Sequence, residues 1–192
     1  MESIMMKSEA YHLNEAIILD KLFDYISSHG LENITIRDLC RETGLAQGTL
    51  YYWFNDKMSL ICEAAEHGLK RAANRIFEYA ISNMNNLRTF FDNCLSEIGR
   101  QRDELRFIYQ MAASPVYGKR IRENGQGLEK MYDKYAKKLA EALRCDHRTL
   151  RPAVYLFVSA VLDYVIWDDA EKAQLQLEFI YTYINNNILG VN

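Results

Sequence analysis

Hydrogen-bonding and aromatic side chains crowd into one short segment, GLAQGTLYYWFND, which runs from Gly44 to Asp56. Its amide and hydroxyl groups come from Gln47, Thr49, Tyr51 and Tyr52. Tyrosine hydroxyls donate to phosphates, and threonine and glutamine side chains reach the edges of bases, so these residue types suit the recognition of duplex DNA. Gly48 would let a helix sit deep in the major groove. The segment therefore predicts binding through hydrogen bonds.

Residues of the kinds used in catalysis and metal binding are scattered through the chain. The four cysteines and four histidines form no CxxC pair and show no ligand spacing. No pair of carboxylates, no Ser/His/Asp set and no phosphate-binding loop has the spacing that such sites need. We therefore predict reduced cysteines, no metal ion, no cofactor and no enzymatic activity.

A helical wheel divides the aromatic segment into a buried side and an exposed side. If the segment is helical, Leu50 and Phe54 lie about 40° apart and face a core. Tyr52 then points away from that core. Tyr51 and Trp53 fall on the two flanks, where both can instead seal the edge of a small core. Burial therefore gives no reason for a tyrosine at residue 52. It gives a reason for Tyr51 only if that ring seals the edge of the core.

Short helices joined by tight turns must hold this segment in place. Helical periodicity predicts three of them, at Glu9–Ser28, Ile36–Thr43 and Gln47–Phe54. A longer fourth helix, capped by Asn55 or Asp56, is predicted to run to about Ile81. Three helices with a glycine-containing turn describe a helix-turn-helix unit, although a helical bundle with glycine at one corner gives the same pattern.

Residues that begin and end helices support these boundaries. Thr35 with Asp38 predicts a capping box at the start of the second helix. Gly30 and Gly44 are suited to the left-handed conformation that ends a helix. The turn between the second and third helices is therefore predicted to start at Gly44.

From residue 83 onward the pattern predicts long amphipathic helices at Leu87–Arg100, Asp103–Ala113, Gly127–Leu143, His147–Asp168 and Glu171–Leu189. Ser114–Gly127, with one proline and three glycines, is predicted to be a connector. The fold is thus predicted to be all-α with about nine helices. We place an N-terminal three-helix helix-turn-helix domain at residues 1–57, a linking helix at 57–81 and a C-terminal helical domain at 58–192.

Composition and charge limit what the chain can do. It has 192 residues, 49% of them hydrophobic, and the N-terminus lacks the pattern of a signal peptide. The apolar run Ala153–Trp167 is shorter than the roughly 20 residues of a membrane-spanning helix, so we predict a buried helix, no membrane and a cytoplasmic location. Residues 1–57 contain five basic and nine acidic side chains, a net charge of −4, which argues mildly against DNA binding.

The segment from about residue 15 to residue 62 resembles the N-terminal domain of TetR-family transcriptional regulators. The resemblance rests on IRDLCRETGL at Ile36–Leu45, on GTLYYWF at Gly48–Phe54 and on Lys57. It implies a helix-turn-helix that binds a palindromic operator in double-stranded DNA. By position it implies phosphate contacts from Thr35, Arg37, Tyr51 and Lys57. It implies base-facing positions for Gln47, Gly48, Thr49 and Tyr52.

The resemblance also implies a homodimer whose all-helical C-terminal domain binds a small effector. Residues 147–168 and 171–189 would form a four-helix interface with a second copy, although their apolar pattern also fits two helices interior to one chain. Effector binding would move the DNA-binding domains apart, with Ser114–Gly127 as the relay, and release a repressor from its operator.

Aromatic and apolar side chains of the C-terminal domain predict a hydrophobic, flat effector. The pocket candidates, each of which core packing also explains, are Phe90, Phe91, Cys94, Phe107, Met111, Tyr117, Tyr135, Phe157 and Tyr164. Asp163 lies inside an otherwise apolar helix. It would bind a cationic ligand, pair across the dimer or lie at a solvated edge.

Two residues depart from the family pattern. Ala46 stands where a serine or threonine usually caps the recognition helix, and a lost cap costs about 0.5–2 kcal/mol. Gln47 replaces a frequent lysine. Because the segment is also acidic, we predict modest DNA affinity with a shallow salt dependence. We keep open a second function, in which the acidic domain binds another protein.

Overall fold

Helices form all the regular structure in residues 2–31, 34–123 and 126–190, the part of the chain that this computed structural model describes; side chains are described there from Glu15 on, except at 122 and 126–129. There are ten α-helices: α1 Glu2–His29, α2 Ile36–Thr43, α3 Gln47–Trp53, α4 Lys57–Ser82, α5 Leu87–Gly99, α6 Arg102–Ala113, α7 Gly118–Glu123, α8 Gln126–Leu143, α9 His147–Trp167 and α10 Ala170–Ile184. A 3-10 turn, Met84–Asn86, precedes α5, and a π-helical turn, Asn185–Leu189, follows α10. The all-α prediction is confirmed.

Two regions differ from the prediction by more than shifts at helix ends. Helix α1 begins at Glu2 rather than near Glu9, since neither glycine nor proline occurs before Gly30 to interrupt it. The predicted connector, Ser114–Gly127, contains the short helix α7. The Ser114 hydroxyl accepts the backbone N–H of Tyr117 at 3.3 Å and so organises the turn before α7, whose lysine and arginines favour helix.

The chain divides into two compact units at boundaries that fall inside helices. The head unit comprises Met1–Arg71 and Phe107–Ile121, and the C-terminal unit comprises Ala72–Arg106 and Arg122–Asn192. Helices α4, α6 and α7 therefore each begin in one unit and end in the other. The functional boundary predicted at residue 57 falls at the first residue of α4.

In the head unit, Phe23 on α1 lies at the centre of the packing. Its ring is fully buried, and Phe107 meets it edge-on with centroids 6.0 Å apart. A β-carbon at Gly68 of α4 would come within 2.5 Å of that ring. Glycine is therefore required at residue 68 for α4 to approach α1 this closely. Leu39 and Leu50 complete the same unit's core, each without exposed surface.

The C-terminal unit is built around aromatic rings on α5. Phe90 and Phe91 are buried, and Phe157 and Tyr181 lie within 6 Å of them, centroid to centroid. Aromatic pairs at such distances add to the hydrophobic stabilisation of a core. The C-terminal end of α9 is held by arginines of α6, since Arg106 Nε donates to the Val165 carbonyl at 3.1 Å.

Helix α9 has 21 residues and is long and apolar enough, by length and composition alone, to cross a membrane. The predicted apolar run, Ala153–Trp167, forms the C-terminal part of this helix. The same test is also met by core helices of soluble proteins. Residues on one side of α9 are buried within the C-terminal unit, namely Leu150, Ala153, Ala160, Val161 and Val165.

Candidate functional site

The turn between α2 and α3 is formed by local hydrogen bonds that the sequence predicts. The Thr35 side chain accepts the Asp38 N–H at 3.2 Å, and the Asp38 carboxylate accepts the Thr35 N–H at 3.0 Å. This is a complete capping box, as predicted. Gly44 ends α2 with φ +73°, the left-handed conformation that favours glycine. The hydrogen bonds from Thr35 hold the pKa of Asp38 below its usual value.

Helix α3 presents one apolar face to the core and one polar face to solvent. Leu50 and Phe54 are at most 1% exposed, whereas Tyr52 is 82% exposed, as the helical wheel predicts. Tyr51 is 37% exposed and Trp53 is half-buried, so both lie on the flanks. The exposed face is completed by residues of the first turn of α3, namely Gln47, Gly48 and Thr49. These three and Tyr52 thus share one open surface.

The N-termini of α3 and α4 are capped differently. Ala46 has the extended backbone of a capping residue but forms no side-chain hydrogen bond. Asp56, in contrast, accepts both the N–H and the hydroxyl of Ser59, at 2.6 and 2.8 Å. Helix α3 therefore lacks a side-chain cap at residue 46, as the sequence predicts.

Three predicted phosphate contacts lie near the start of α2. Thr35 and Arg37 are exposed. Lys57, at the first turn of α4, is half-buried, and its ammonium donates to the backbone carbonyl of Ile34. Sequence patterns do not predict this bond, because the two residues are 23 positions apart. It ties the segment before α2 to the start of α4 and places a cation two residues before the start of α2.

Acidic side chains of the head unit are largely engaged inside it. Asp20 accepts Arg71 at 2.7 Å and lies 3.0 Å from His67, and Asp24 accepts Arg71 at 2.6 Å. Counted over its whole sequence, the head unit has a net charge of −2, because Lys119 and Arg120 from α7 join it. The acidity of residues 1–57 is therefore partly compensated within the folded unit.

The predicted effector-pocket residues divide between the two units. Phe107, Met111 and Tyr117 belong to the head unit, and the other candidates belong to the C-terminal unit. Phe107 packs on Phe23, Met111 is fully buried, and burial raises the pKa of Tyr117. The sequence could not separate these residues, since α6 runs continuously through the unit boundary.

Within the C-terminal unit the remaining candidates take three different positions. Phe90, Phe91, Cys94 and Phe157 belong to one core, where burial raises the pKa of Cys94 to about 12. Tyr135 stacks on Phe77, with centroids 4.6 Å apart, and donates to Asn74 at 2.6 Å. Tyr164 lies beneath the guanidinium of Arg102, 5.0 Å from its ring centroid.

Asp163 is engaged within its own chain. Its carboxylate accepts Lys172 and Gln176 of α10, both at 2.7 Å. The hydrogen bond from Lys172 holds the pKa of Asp163 below its usual value. These contacts join α9 to α10 within one chain. They differ from the three roles predicted for Asp163, namely a cationic ligand, a pair across the dimer and a solvated edge.

An apolar surface remains exposed on α9 and α10. Trp167 is 75% exposed, Leu175 is 68% and Phe179 is 62%, with Tyr155 and Leu156 also open to solvent. Large apolar patches on a folded chain mark interaction surfaces. Metal binding has no comparable support, because the described side chains contain no group of three or more His, Cys, Asp or Glu placed to hold an ion.

Comparison with known proteins agrees with this geometry. Residues 18–64 match the family model described as bacterial regulatory proteins, tetR family. The chain is 37% identical over 59 residues to YvdT of Bacillus subtilis (strain 168), an uncharacterised HTH-type transcriptional regulator, a match that spans 31% of this chain and 30% of YvdT. It thus matches less than a third of YvdT's length.

The fold likeness extends further than the sequence likeness. A crystal structure described as a TetR-family transcriptional regulator from Rhodococcus sp. covers 91% of this chain and 98% of its own, with a TM-score of 0.52 and 15% identity. At that identity the likeness concerns the fold alone. Proteins of this family are non-enzymatic DNA-binding regulators, in agreement with the prediction that the chain is no enzyme. Residues 18–64 are therefore similar to the DNA-binding domain of tetR-family regulators, and the chain as a whole shares the fold of one such protein.

Proposed function

We propose that this chain is a cytoplasmic, effector-responsive repressor that binds a palindromic operator in double-stranded DNA as a homodimer. One observation carries the proposal. Helix α3 buries Leu50 and Phe54 and leaves Tyr52, 82% exposed, on an open face with Gln47 and Thr49. An exposed face of hydroxyls and an amide on a short helix has the size and the chemistry to enter a major groove.

Each predicted DNA contact has a role in this proposal. Gln47, Gly48, Thr49 and Tyr52 face the bases, and glycine keeps that face shallow. Thr35, Arg37, Tyr51 and Lys57 bind phosphates on either side of the groove. Lys57 can do so while its ammonium also donates to Ile34, because an ammonium has three donors.

The homodimer is proposed to form through residues 147–168 and 171–189. Their support is the exposed apolar surface of α9 and α10, centred on Trp167, Leu175 and Phe179. Two head units must lie about 34–36 Å apart to reach successive major grooves. A dimer is therefore needed for specific binding to a palindrome.

Release by an effector is proposed to pass along helices that belong to both units. Helices α4, α6 and α7 begin in one unit and end in the other. A ligand bound in the C-terminal unit therefore acts on the head unit through these helices, with Ser114–Gly127, which contains α7, as the relay. Small shifts at a ligand site become larger movements of whole units in such proteins.

Fluorescence anisotropy on tiled duplexes from the DNA that flanks the coding region tests the operator. We expect saturable binding to one tile, competed poorly by unrelated DNA. If Arg37 and Lys57 are the cations that release counterions in each subunit, the slope of log K against log salt is about −3.6. A slope near −8 would contradict the shallow salt dependence.

Equal, weak binding to every tile would instead favour the second function, in which the head unit binds another protein. The net charge of −2 on the head unit keeps that function in view. Tyr52→Ala separates the two, because loss of operator binding with an intact dimer requires a DNA-reading face.

A further inference from the structure

We infer that Gln101 is the polar recognition residue of the effector site, and that the effector carries a carboxamide or an equivalent group that both donates and accepts hydrogen bonds. The inference rests on the proposed effector response and specifies the chemistry of its ligand. It changes the expected ligand from a purely hydrophobic molecule to an apolar body with one neutral polar head.

The observation behind it is an unpartnered buried amide. Gln101 is 3% exposed, and neither its Oε1 nor its Nε2 has a hydrogen-bond partner within the chain. Buried polar side chains in native proteins nearly always have partners, because an unsatisfied donor or acceptor loses its hydration without compensation. A side chain with both groups unsatisfied indicates a partner supplied from outside the chain.

Gln101 is held firmly at the corner between α5 and α6. Its N–H donates to the Ile98 carbonyl at 3.0 Å, and its carbonyl accepts the Leu105 N–H at 3.0 Å. Ile98 and Leu105 are themselves buried, at 0% and 2% exposed. The backbone of the corner is therefore fixed on both sides of Gln101.

The same corner lies against the aromatic ring of Tyr164. The Tyr164 hydroxyl is 3.1 Å from the position that a β-carbon of Gly99 would take. Arg102, the residue after Gln101, lies over the Tyr164 ring and donates to the Tyr164 carbonyl at 3.3 Å. The Nε of Arg102 is buried without a partner as well. An aromatic ring thus adjoins an unsatisfied polar atom at the corner that holds Gln101, and ligand sites combine aromatic side chains with a few polar groups in this way.

The donor and acceptor count selects the ligand group. A glutamine amide offers two donors and an acceptor, and a ligand carboxamide matches it through two reciprocal N–H···O bonds. A carboxylate only accepts, so it would leave Oε1 unpaired. The charge of Arg102 is already balanced by Asp168, with which it forms an ion pair. A neutral group that donates and accepts is therefore favoured over an anion.

The test compares Gln101→Met with Gln110→Met, an exposed glutamine on α6, in the full chain without DNA. Two carboxamides, benzamide and 2-naphthamide, are titrated beside the hydrocarbons toluene and 2-methylnaphthalene. We expect Q101M to unfold about 2–4 °C above the wild type, because the unsatisfied amide is gone. We expect at least one carboxamide to bind Q101M at least tenfold more weakly than the wild type, and Q110M to match the wild type.

A second measurement uses the wild type only, in case Q101M does not fold. The side-chain N–H2 resonances of Gln101 should move on addition of the bound carboxamide and not on addition of its hydrocarbon. Lower stability of Q101M, equal carboxamide affinity in both proteins, or unmoved resonances would overturn the inference and indicate that a buried water satisfies the amide. Because DNA is absent, these outcomes leave operator binding to its own test.

Discussion

The outward surfaces of α3 and of α9 with α10 both expose aromatic side chains, but their surroundings differ. Tyr52 on α3 is 82% exposed beside an amide and a threonine hydroxyl. Trp167 and Phe179 are 75% and 62% exposed, and Leu175, one turn before Phe179 on α10, is a third exposed apolar side chain. The polar groups on α3 can exchange hydrogen bonds with water for hydrogen bonds with a polar partner. The side chains on α9 and α10 are stabilised by binding only because their apolar area is removed from water.

This difference shows that the exposure of an aromatic side chain does not by itself indicate which kind of partner it binds. A tyrosine among hydrogen-bonding groups suits a hydrated, charged partner such as DNA, whose interfaces keep water. A continuous apolar surface suits a dry contact with a second protein surface, which α9 and α10 can provide in another copy. The sharpest tests change one surface and leave the other intact.

The largest effect is expected from Leu175→Glu on the apolar surface. Burying a leucine contributes about 1.5–3 kcal/mol, and a symmetric dimer loses it twice. The dimer dissociation constant should therefore rise about 100-fold or more, as measured by sedimentation equilibrium. Operator binding should weaken with it, because one head unit reads one half-site only.

Val116→Glu is the matched control, since Val116 is 59% exposed and belongs to the head unit rather than to α9 or α10. It should leave the dimer unchanged. A Leu175→Glu variant that stays dimeric at the wild-type concentration would remove α10 from the proposed interface.

The next largest effect is expected from Tyr52→Phe on the polar surface. The ring is retained and one hydroxyl is lost, so a hydrogen bond worth about 0.5–1.5 kcal/mol disappears. Because both subunits of the dimer lose it, operator affinity should fall about 5- to 150-fold in anisotropy titrations, with the dimer intact. Tyr25→Phe, which removes a hydroxyl near Arg41 in the same unit, is the control. Equal losses in both variants would argue against a specific role for Tyr52.

Helix caps sharpen the comparison because they alter the head unit without changing either surface. Thr35→Ala removes a formed cap and should lower the free energy of unfolding by about 0.5–2 kcal/mol. Ala46→Ser adds a hydroxyl where the backbone is already extended and should raise it by about 0.5–1 kcal/mol. Urea unfolding measures both changes.

Ala46→Val controls for the second of these changes, because valine caps a helix no better than alanine. If Ala46→Ser and Ala46→Val unfold at the same urea concentration, the start of α3 does not limit the stability of the head unit.

The smallest effect is expected from Glu63→Gln in the head unit. Burial raises the pKa of Glu63 and outweighs the attraction of Arg120. The folded state therefore holds this proton more tightly than the unfolded state, and its stabilising contribution is lost as pH rises through the raised pKa. Glu63→Gln should unfold at a higher temperature than the wild type at pH 7.5, and the difference should vanish near pH 4.

Glu66→Gln provides the comparison for that pH dependence. It removes an i,i+4 ion pair with Lys70, 2.8 Å long and largely exposed, and so should lower the unfolding temperature slightly at pH 7.5. If Glu63→Gln also unfolds at a lower temperature than the wild type at pH 7.5, the attraction between Glu63 and Arg120 outweighs the cost of burying the carboxylate.

Features fixed by neighbours in sequence were predictable. The capping box at Thr35, the left-handed Gly44 and the burial of Leu50 and Phe54 depend on residues within one or two turns. Bonds between distant residues were not, as Lys57 with Ile34 shows. No sequence signal marks Gln101, because burial of an amide is decided by the packing of several helices.

The predicted effector-pocket residues also show what the sequence can and cannot predict. Hydrophobicity identifies Phe90 and Phe107 as buried, which both are. It does not say that α6 passes from one compact unit to the other between Arg106 and Phe107. Residue type therefore predicted burial, and only the fold could assign each residue to a unit. Their role in binding an effector stays a prediction.

The close approach of α4 to α1 has a consequence for the history of this sequence. A β-carbon at Gly68 would meet the Phe23 ring at 2.5 Å, so residue 68 cannot acquire a side chain while Phe23 and the helix spacing are kept. A descendant chain can acquire alanine at residue 68 only after residue 23 has become smaller. The two positions should therefore vary together among related chains, in that order, and a chain with both phenylalanine 23 and a side chain at residue 68 should have a different spacing between these helices.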